Sequence, residues 1–193
     1  RDAGIGPEKT IYVQIHDAGS SSPAILNTLR DAAGLERKGC RFLDGRDTLG
    51  VHKTTNELAQ GALVYVDDFV ATGHQFCGAR DFAAACVVGN FAEFLLVPCI
   101  CEEAMYELGK RGIEAIAKHI HSKQERPLHN ECSDADDQMR TRLRRICNEI
   151  DSKGGLGYRG LATMVVFFRN APNTVPLIIR GSLKQDPWRG IFP

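Results

Sequence analysis

The stretch Leu63-Val64-Tyr65-Val66-Asp67-Asp68-Phe69-Val70-Ala71-Thr72-Gly73-His74-Gln75 decides how this chain is read. Its first four residues are apolar and mostly β-branched or aromatic, the pattern of a strand buried on both faces at the centre of a parallel sheet. Two carboxylates close the strand. Burying them unpaired would be costly, so they belong at its carboxyl end, on the rim where open α/β sheets bind ligands. The turn that follows offers a hydroxyl at Thr72 and a permissive backbone at Gly73 before a helical run from about Gln75. Backbone N–H groups, the positive end of a helix dipole and that hydroxyl can converge on one anion, while the aspartates accept hydrogen bonds from ligand hydroxyls. A sugar phosphate meets both demands.

The same stretch resembles the phosphoribosyl-pyrophosphate-binding motif of the type I phosphoribosyltransferase family: four hydrophobic positions, two acidic ones, then a small-residue turn with Thr-Gly. The resemblance implies a Rossmann-like core in which Asp67 and Asp68 are the catalytic pair and hold the ribose 2′ and 3′ hydroxyls. It also implies that Ala71, Thr72, Gly73, His74 and Gln75 wrap the 5′-phosphate. The family usually ends this turn with a second Thr or Ser, where this chain has Gln75. The implied donor is phosphoribosyl pyrophosphate or a nucleotide, the implied acceptor a nitrogenous base. The implied cofactor is Mg²⁺, carried by the pyrophosphate rather than by protein ligands.

Working outward, Thr10 to Ile15 reads as a strand, followed by the small-residue loop His16 to Ser22 and then Pro23. Ser22 suits an N-cap and Pro23 the first position of a helix that runs to about Ala33 and stops at Gly34. By resemblance, Gly19, Ser20, Ser21 and Ser22 form the pyrophosphate loop, with Asp17 bringing a negative charge beside it. Cys40 to Leu43 is a second strand, and a charged loop from Asp44 is expected to run to Thr55 before a short helix to Gln60. The family carries a mobile basic flap in this interval, for which Arg46 and Lys53 are the candidates.

Beyond the motif, a helix from Gln75 to about Val88 leads to a strand over Phe94 to Cys101, in which Pro98 lacks a donor and should interrupt pairing. Glu102 to Lys110 is a helix with acids first and bases last, and Ile113 to Ile120 an outer strand. The fold class is therefore α/β, a parallel sheet of about five strands flanked by helices with right-handed crossovers. A single domain over 1–193 is expected, with the core at about 10–120 and a C-terminal helix, strand and tail over 133–193. In that region Met139, Leu143, Ile146, Cys147 and Ile150 mark one helix face and Arg140, Arg142, Arg144 and Arg145 the other, a solvated surface or a contact for nucleic acid or an acidic partner. Thr163 to Phe168 reads as a strand. Polar residues from Arg169 to Thr174 are candidates for a base pocket. Gly155-Leu156-Gly157-Tyr158-Arg159-Gly160 matches the dinucleotide pattern but follows a helix and precedes a strand, the wrong way round, and reads as a mobile loop.

Composition narrows the field. The 193 residues hold 24 basic and 24 acidic side chains, so no general affinity for nucleic acid is implied. Seven cysteines, an odd number without secretory or zinc spacing, together with the lack of a signal peptide or a long apolar run, lead to the expectation of a cytoplasmic protein without a membrane partner. The chain opens on Arg1 rather than Met, as a piece of a longer polypeptide would. A looser resemblance, in the Asp-Asp-Phe-Val-Ala-Thr-Gly core and the Trp-Arg-Gly-Ile-Phe-Pro tail, is to phosphoribosyltransferase-like effectors of bacterial antiphage and retron systems. It implies a protein or RNA partner. The competing expectation is a module of the same fold that senses a nucleotide or binds a partner without turnover.

Overall fold

The computed structural model describes residues 4–15, 21–167 and 171–181. Among them, six strands form one sheet: β1 (Thr10–Gln14), β2 (Arg41–Asp44), β3 (Gln60–Val66), β4 (Phe69–Val70), β5 (Asn90–Cys101) and β6 (Glu114–His121). Helices α1 (Ser21–Ala33), α2 (Thr48–Leu58), α3 (His74–Ala84) and α4 (Glu102–Lys110) alternate with them. β1 pairs in parallel with β2 and β3, and β5 in parallel with β3 and β4. This is the expected α/β class. Two compact units succeed each other along the chain, Arg1–Ile120 and His121–Pro193.

In the first unit the core is built from alternate strand residues, among them Ile11, Val13, Leu63, Leu95 and Val97, together with Ile100 from the continuously buried end of β5, closed by Phe76, Ala104 and Leu108 from the helices. Each such side chain contributes roughly 1.5–3 kcal/mol when buried. β4 adds an element that its two residues do not announce in the sequence. It meets β5 in the same register as β3 does, Val66 lying opposite Leu96 and Phe69 opposite Cys99. β3 and β4 are thus one strand interrupted at Asp67 and Asp68, and Pro98 falls opposite Asp68. The expected interruption at Pro98 coincides with the acid pair, because a residue without an N–H cannot hold the ladder together there. With one edge of β5 taken by β3 and β4, β6 pairs along the other. The resulting order places β1 beside β3 while their onward connections lead to opposite sides of the sheet. That is the topological switch point, where α/β sheets open a crevice at the carboxyl ends of their strands.

Four sequence expectations need correction. α1 begins at Ser21, and the Ser22 hydroxyl, instead of capping the helix, donates to the Val66 carbonyl at 2.6 Å. α2 begins at Thr48, so the expected loop from Asp44 to Thr55 is mostly helix. Asp47, read as a turn residue, is the N-cap, and its carboxylate accepts the Gly50 N–H at 3.0 Å. The third concerns the second unit. Residues 163–167 are not a strand, although their apolar run suggests one. Thr163 N–H donates to the Thr174 carbonyl, the two threonine hydroxyls are 2.8 Å apart, and Met164 N–H donates to His121 Nε2 at 3.3 Å, so local partners satisfy the backbone in place of a ladder.

The second unit packs Leu128, Cys147, Leu156 and Ala162 with Leu143 and Ile178, around α5 (Asp137–Ile150) and the short α6 (Leu177–Arg180). Asp136 caps α5 by accepting the Met139 N–H at 2.7 Å. On the arginine face, Arg140 and Arg144 donate to the Cys132 and Leu128 carbonyls, while Arg142 and Arg145 are exposed. The glycine-rich stretch expected to be mobile is packed instead. Gly155 and Gly157 are buried, and a Cβ on either would collide with the carbonyls of Cys147 or Thr174. Close backbone approach accounts for those glycines. No helix among the described residues is long and apolar enough to cross a membrane.

Candidate functional site

β3 carries the acid pair to the switch point. Along it the alternation of burial gives way to near-continuous burial, as its place between β1 and β5 requires. Asp67 is 5% exposed, and its carboxylate turns back to accept the Asp68 N–H at 2.9 Å, while Asp68 is half-buried. After β4 the chain bends through Ala71 and Thr72, both half-buried, to Gly73, whose φ of +77° only glycine adopts without strain. Gly73 is the N-cap of α3 and no side chain caps the helix. The Thr72 hydroxyl accepts the His74 N–H in a long contact of 3.4 Å. The next N–H groups of the first turn, at Gln75 and Phe76, have no acceptor within the helix. His74 and Gln75 are exposed. The bend therefore presents backbone donors and the positive end of an eleven-residue helix beside two carboxylates.

The turn is held by a network that the sequence did not flag. Tyr65, two residues before the acid pair, packs edge-on against Phe76 in the first turn of α3, with ring centroids 5.5 Å apart. Its hydroxyl donates to Glu93 on β5 at 3.0 Å, and Arg80 on α3 donates to both oxygens of the same carboxylate. Arg80 also meets Asp81 at 3.0 Å, and Arg111 reaches Asp81 at 2.8 Å. Arg80 and Arg111 hold the Asp81 carboxyl below its ordinary range, Arg80 the more strongly. Nothing local pairs positions 65, 80 and 93; only the fold brings them together.

Burial, reinforced by the neighbouring Glu93 carboxylate, pushes the Tyr65 hydroxyl well above the usual tyrosine range. Because the folded-state pKa is raised, the protonated phenol's contribution to stability is complete below about pH 10 and is lost as pH rises towards the folded value, by about 1.4 kcal/mol per pH unit. Thermal unfolding followed between about pH 9 and about pH 11 should show a falling Tm, and the fall should be shallower in Tyr65→Phe. Parallel slopes in the two proteins would contradict this origin.

The other sequence candidates fall in different places. Ser22 is brought to the motif through its bond to Val66. Ser21 begins α1, while Asp17, Gly19 and Ser20 lie outside the described residues, as do Arg169 and Asn170 of the suggested base pocket. Thr174 from that pocket is buried against Thr163. Arg46 sits in the turn after β2 with its guanidinium on Asp44, at 3.1 and 2.9 Å, and this bond holds the Asp44 carboxyl below its ordinary range. Lys53 is exposed on α2. These two candidates therefore occupy a turn and a helix, not one loop. All seven cysteines are free thiols.

A family model, PRTase-CE, matches residues 5–193, nearly the whole chain. The chain belongs to the PRTase-CE family. It is thus a type I phosphoribosyltransferase-like protein, in keeping with the resemblance seen in its central motif. Among curated proteins none matches this PRTase-CE chain. Among solved structures it is similar to the crystal structure of orotate phosphoribosyltransferase from Aeropyrum pernix, with 16% identity and a TM-score of 0.37 over 59% of this chain and 60% of that one. It is also similar to TT1426 from Thermus thermophilus, with 24% identity and a TM-score of 0.27 over 48% of this chain and 46% of that one. The PRTase-CE chain thus spans less than two thirds of the length of either.

Proposed function

We propose that this PRTase-CE chain binds phosphoribosyl pyrophosphate and transfers its phosphoribosyl group to a nitrogenous base. The observation that carries this reading is the acid pair at the interruption of β3 and β4, followed at once by the uncapped start of α3 at the switch point of the sheet. Asp67 and Asp68 accept the ribose 2′ and 3′ hydroxyls, and the backbone from Ala71 to Gln75 with the Thr72 hydroxyl takes the 5′-phosphate. Gly19, Ser20, Ser21 and Ser22, the residues the family resemblance assigns to pyrophosphate, take that group. In the reaction the bond from C1′ to the pyrophosphate oxygen breaks, a bond from C1′ to a base nitrogen forms, and the proton of that nitrogen passes to solvent. No protein nucleophile is needed; the residues bind, orient and exclude water. Mg²⁺ enters with the substrate, and the oxygen donors of this crevice suit that hard ion. It would neutralise charge on the departing pyrophosphate.

A second reading is a nucleotide-sensing or partner-binding module without turnover. It is favoured by Gln75 in the phosphate turn and by the engagement of Arg46 with Asp44. Under that reading a protein or RNA partner, as in the antiphage effectors the sequence resembles, takes the signal onward.

Pyrophosphate release, measured with Mg²⁺, phosphoribosyl pyrophosphate and a panel of purine and pyrimidine bases, tests the transfer. Release that depends on one base supports it. Tight binding of the sugar without release for any base would select the second reading, and no binding would remove both.

A further inference from the structure

β6 is an edge strand: among the described residues it pairs with β5 alone. Its side chains alternate between the two faces of the sheet. Ala115 and Ala117 pack against the core, while Glu114, Ile116, Lys118 and Ile120 share the opposite face and are all exposed, Ile116 by 48% and Ile120 by 51%. Among the described residues neither Glu114 nor Lys118 makes an ion pair or a side-chain hydrogen bond. No turn, loop or cap among them exchanges a backbone hydrogen bond with Glu114, Ile116 or Lys118. Such an edge offers a row of peptide groups to which another strand can add.

We propose that β6 pairs with β6 of a second copy of this chain, antiparallel about a two-fold axis at Ile116. An axis normal to the sheet keeps each face of the strand with the same face of its copy. On the exposed face the two copies of Ile116 then meet, and each Glu114 lies opposite a Lys118. On the core side Ala115 lies opposite Ala117, small against small. Opposite charges facing across antiparallel strands are favourable and like charges destabilising. An axis at Glu114 or at Lys118 sets like charges face to face, and one at Ala115 or Ala117 sets a charge opposite Ile116. The axis at Ile116 matches both charges at once. A lysine on an exposed edge ordinarily guards it against pairing; with a glutamate four residues away on the same face, it selects a register instead. Residues 114–118 make a contact well below the ~1,600 Å² of a standard interface, so the dimer is weak and depends on concentration. This pairing is independent of the reading under Proposed function.

Sedimentation equilibrium on the full chain tests this. The wild type should pass from monomer to dimer between about 1 μM and about 1 mM. Glu114→Lys and Lys118→Glu each turn two attractive pairs into two repulsive ones, and each should weaken the dimer by at least about tenfold. The double variant Glu114→Lys/Lys118→Glu restores both pairs with their signs exchanged and should return to within about threefold of wild type. Mixed in equal amounts, the two single variants should associate with each other although neither does so alone, because one then carries both lysines and the other both glutamates. Both positions are exposed, so circular dichroism should show every variant folded. Should one single variant fail to fold, the other carries the comparison with the double. A wild type that stays monomeric throughout would overturn the proposal and leave the edge to a strand of another protein. A dimer indifferent to the single reversals, or one that neither the double variant nor the mixture recovers, would place the contact elsewhere and overturn it too.

Discussion

Replacing Asp67 or Asp68 by alanine is expected to weaken phosphoribosyl pyrophosphate binding by at least about tenfold each, and by about a hundredfold together, since a hydrogen bond to a charged group is worth roughly 1.5–3 kcal/mol. The two positions differ in what else they lose. Asp67 is nearly buried and its carboxylate holds the Asp68 N–H, so alanine there also loosens the bend between β3 and β4. Asp67→Asn keeps an acceptor for that N–H while removing the charge, which separates the two effects. Asp68 is half-buried, and Asp68→Ala should leave Tm close to that of the wild type. Calorimetric titration with the Mg²⁺ complex of the sugar is the direct measurement. Affinity unchanged in both alanine variants would mean that the pair does not hold the ribose.

The largest effect on stability is expected at Glu93, which no part of the ligand need touch. It receives Tyr65 and Arg80 together, and the side chains of Arg80 and Glu93 are only 19% and 18% exposed. Removing one partner of a fully buried ion pair costs about 3–5 kcal/mol because the other charge is left behind. Partial exposure and the remaining bond from Arg80 to Asp81 lower that to about 2–3 kcal/mol for Glu93→Ala, a fall in Tm of about 6–10 °C for a chain of this size. Calorimetry or circular dichroism would read it. Because the network ties β3 and β5 to α3, sugar affinity should fall as well, whereas a Tm within about 2 °C of wild type would show the network to be incidental.

The central strand, the acid pair and the turn were legible because each rests on near neighbours in sequence: an apolar run, two adjacent charges, a glycine before a helix. The same local logic found Pro98 as a break in pairing and Gly34, at φ +59°, as the stop of α1. It failed where a residue's partner is distant. Ser22 has the chemistry of an N-cap, and only the neighbouring end of β3 diverts its proton to Val66. Asp47 and Gly50 have the composition of a turn, yet their mutual hydrogen bond starts a helix. The run from Thr163 has strand propensity, but Thr174 and His121 satisfy its backbone first. The grouping of Tyr65, Arg80 and Glu93 left no periodic trace at all, since it joins two strands, two register positions apart, and a helix.

The most direct measurement is a crystal structure of the chain with phosphoribosyl pyrophosphate and Mg²⁺. The ribose hydroxyls should lie within hydrogen-bonding distance of Asp67 and Asp68, and the 5′-phosphate should rest on the backbone between Ala71 and Gln75. A sugar bound elsewhere, or a crevice that stays empty at saturating ligand, would contradict the assignment.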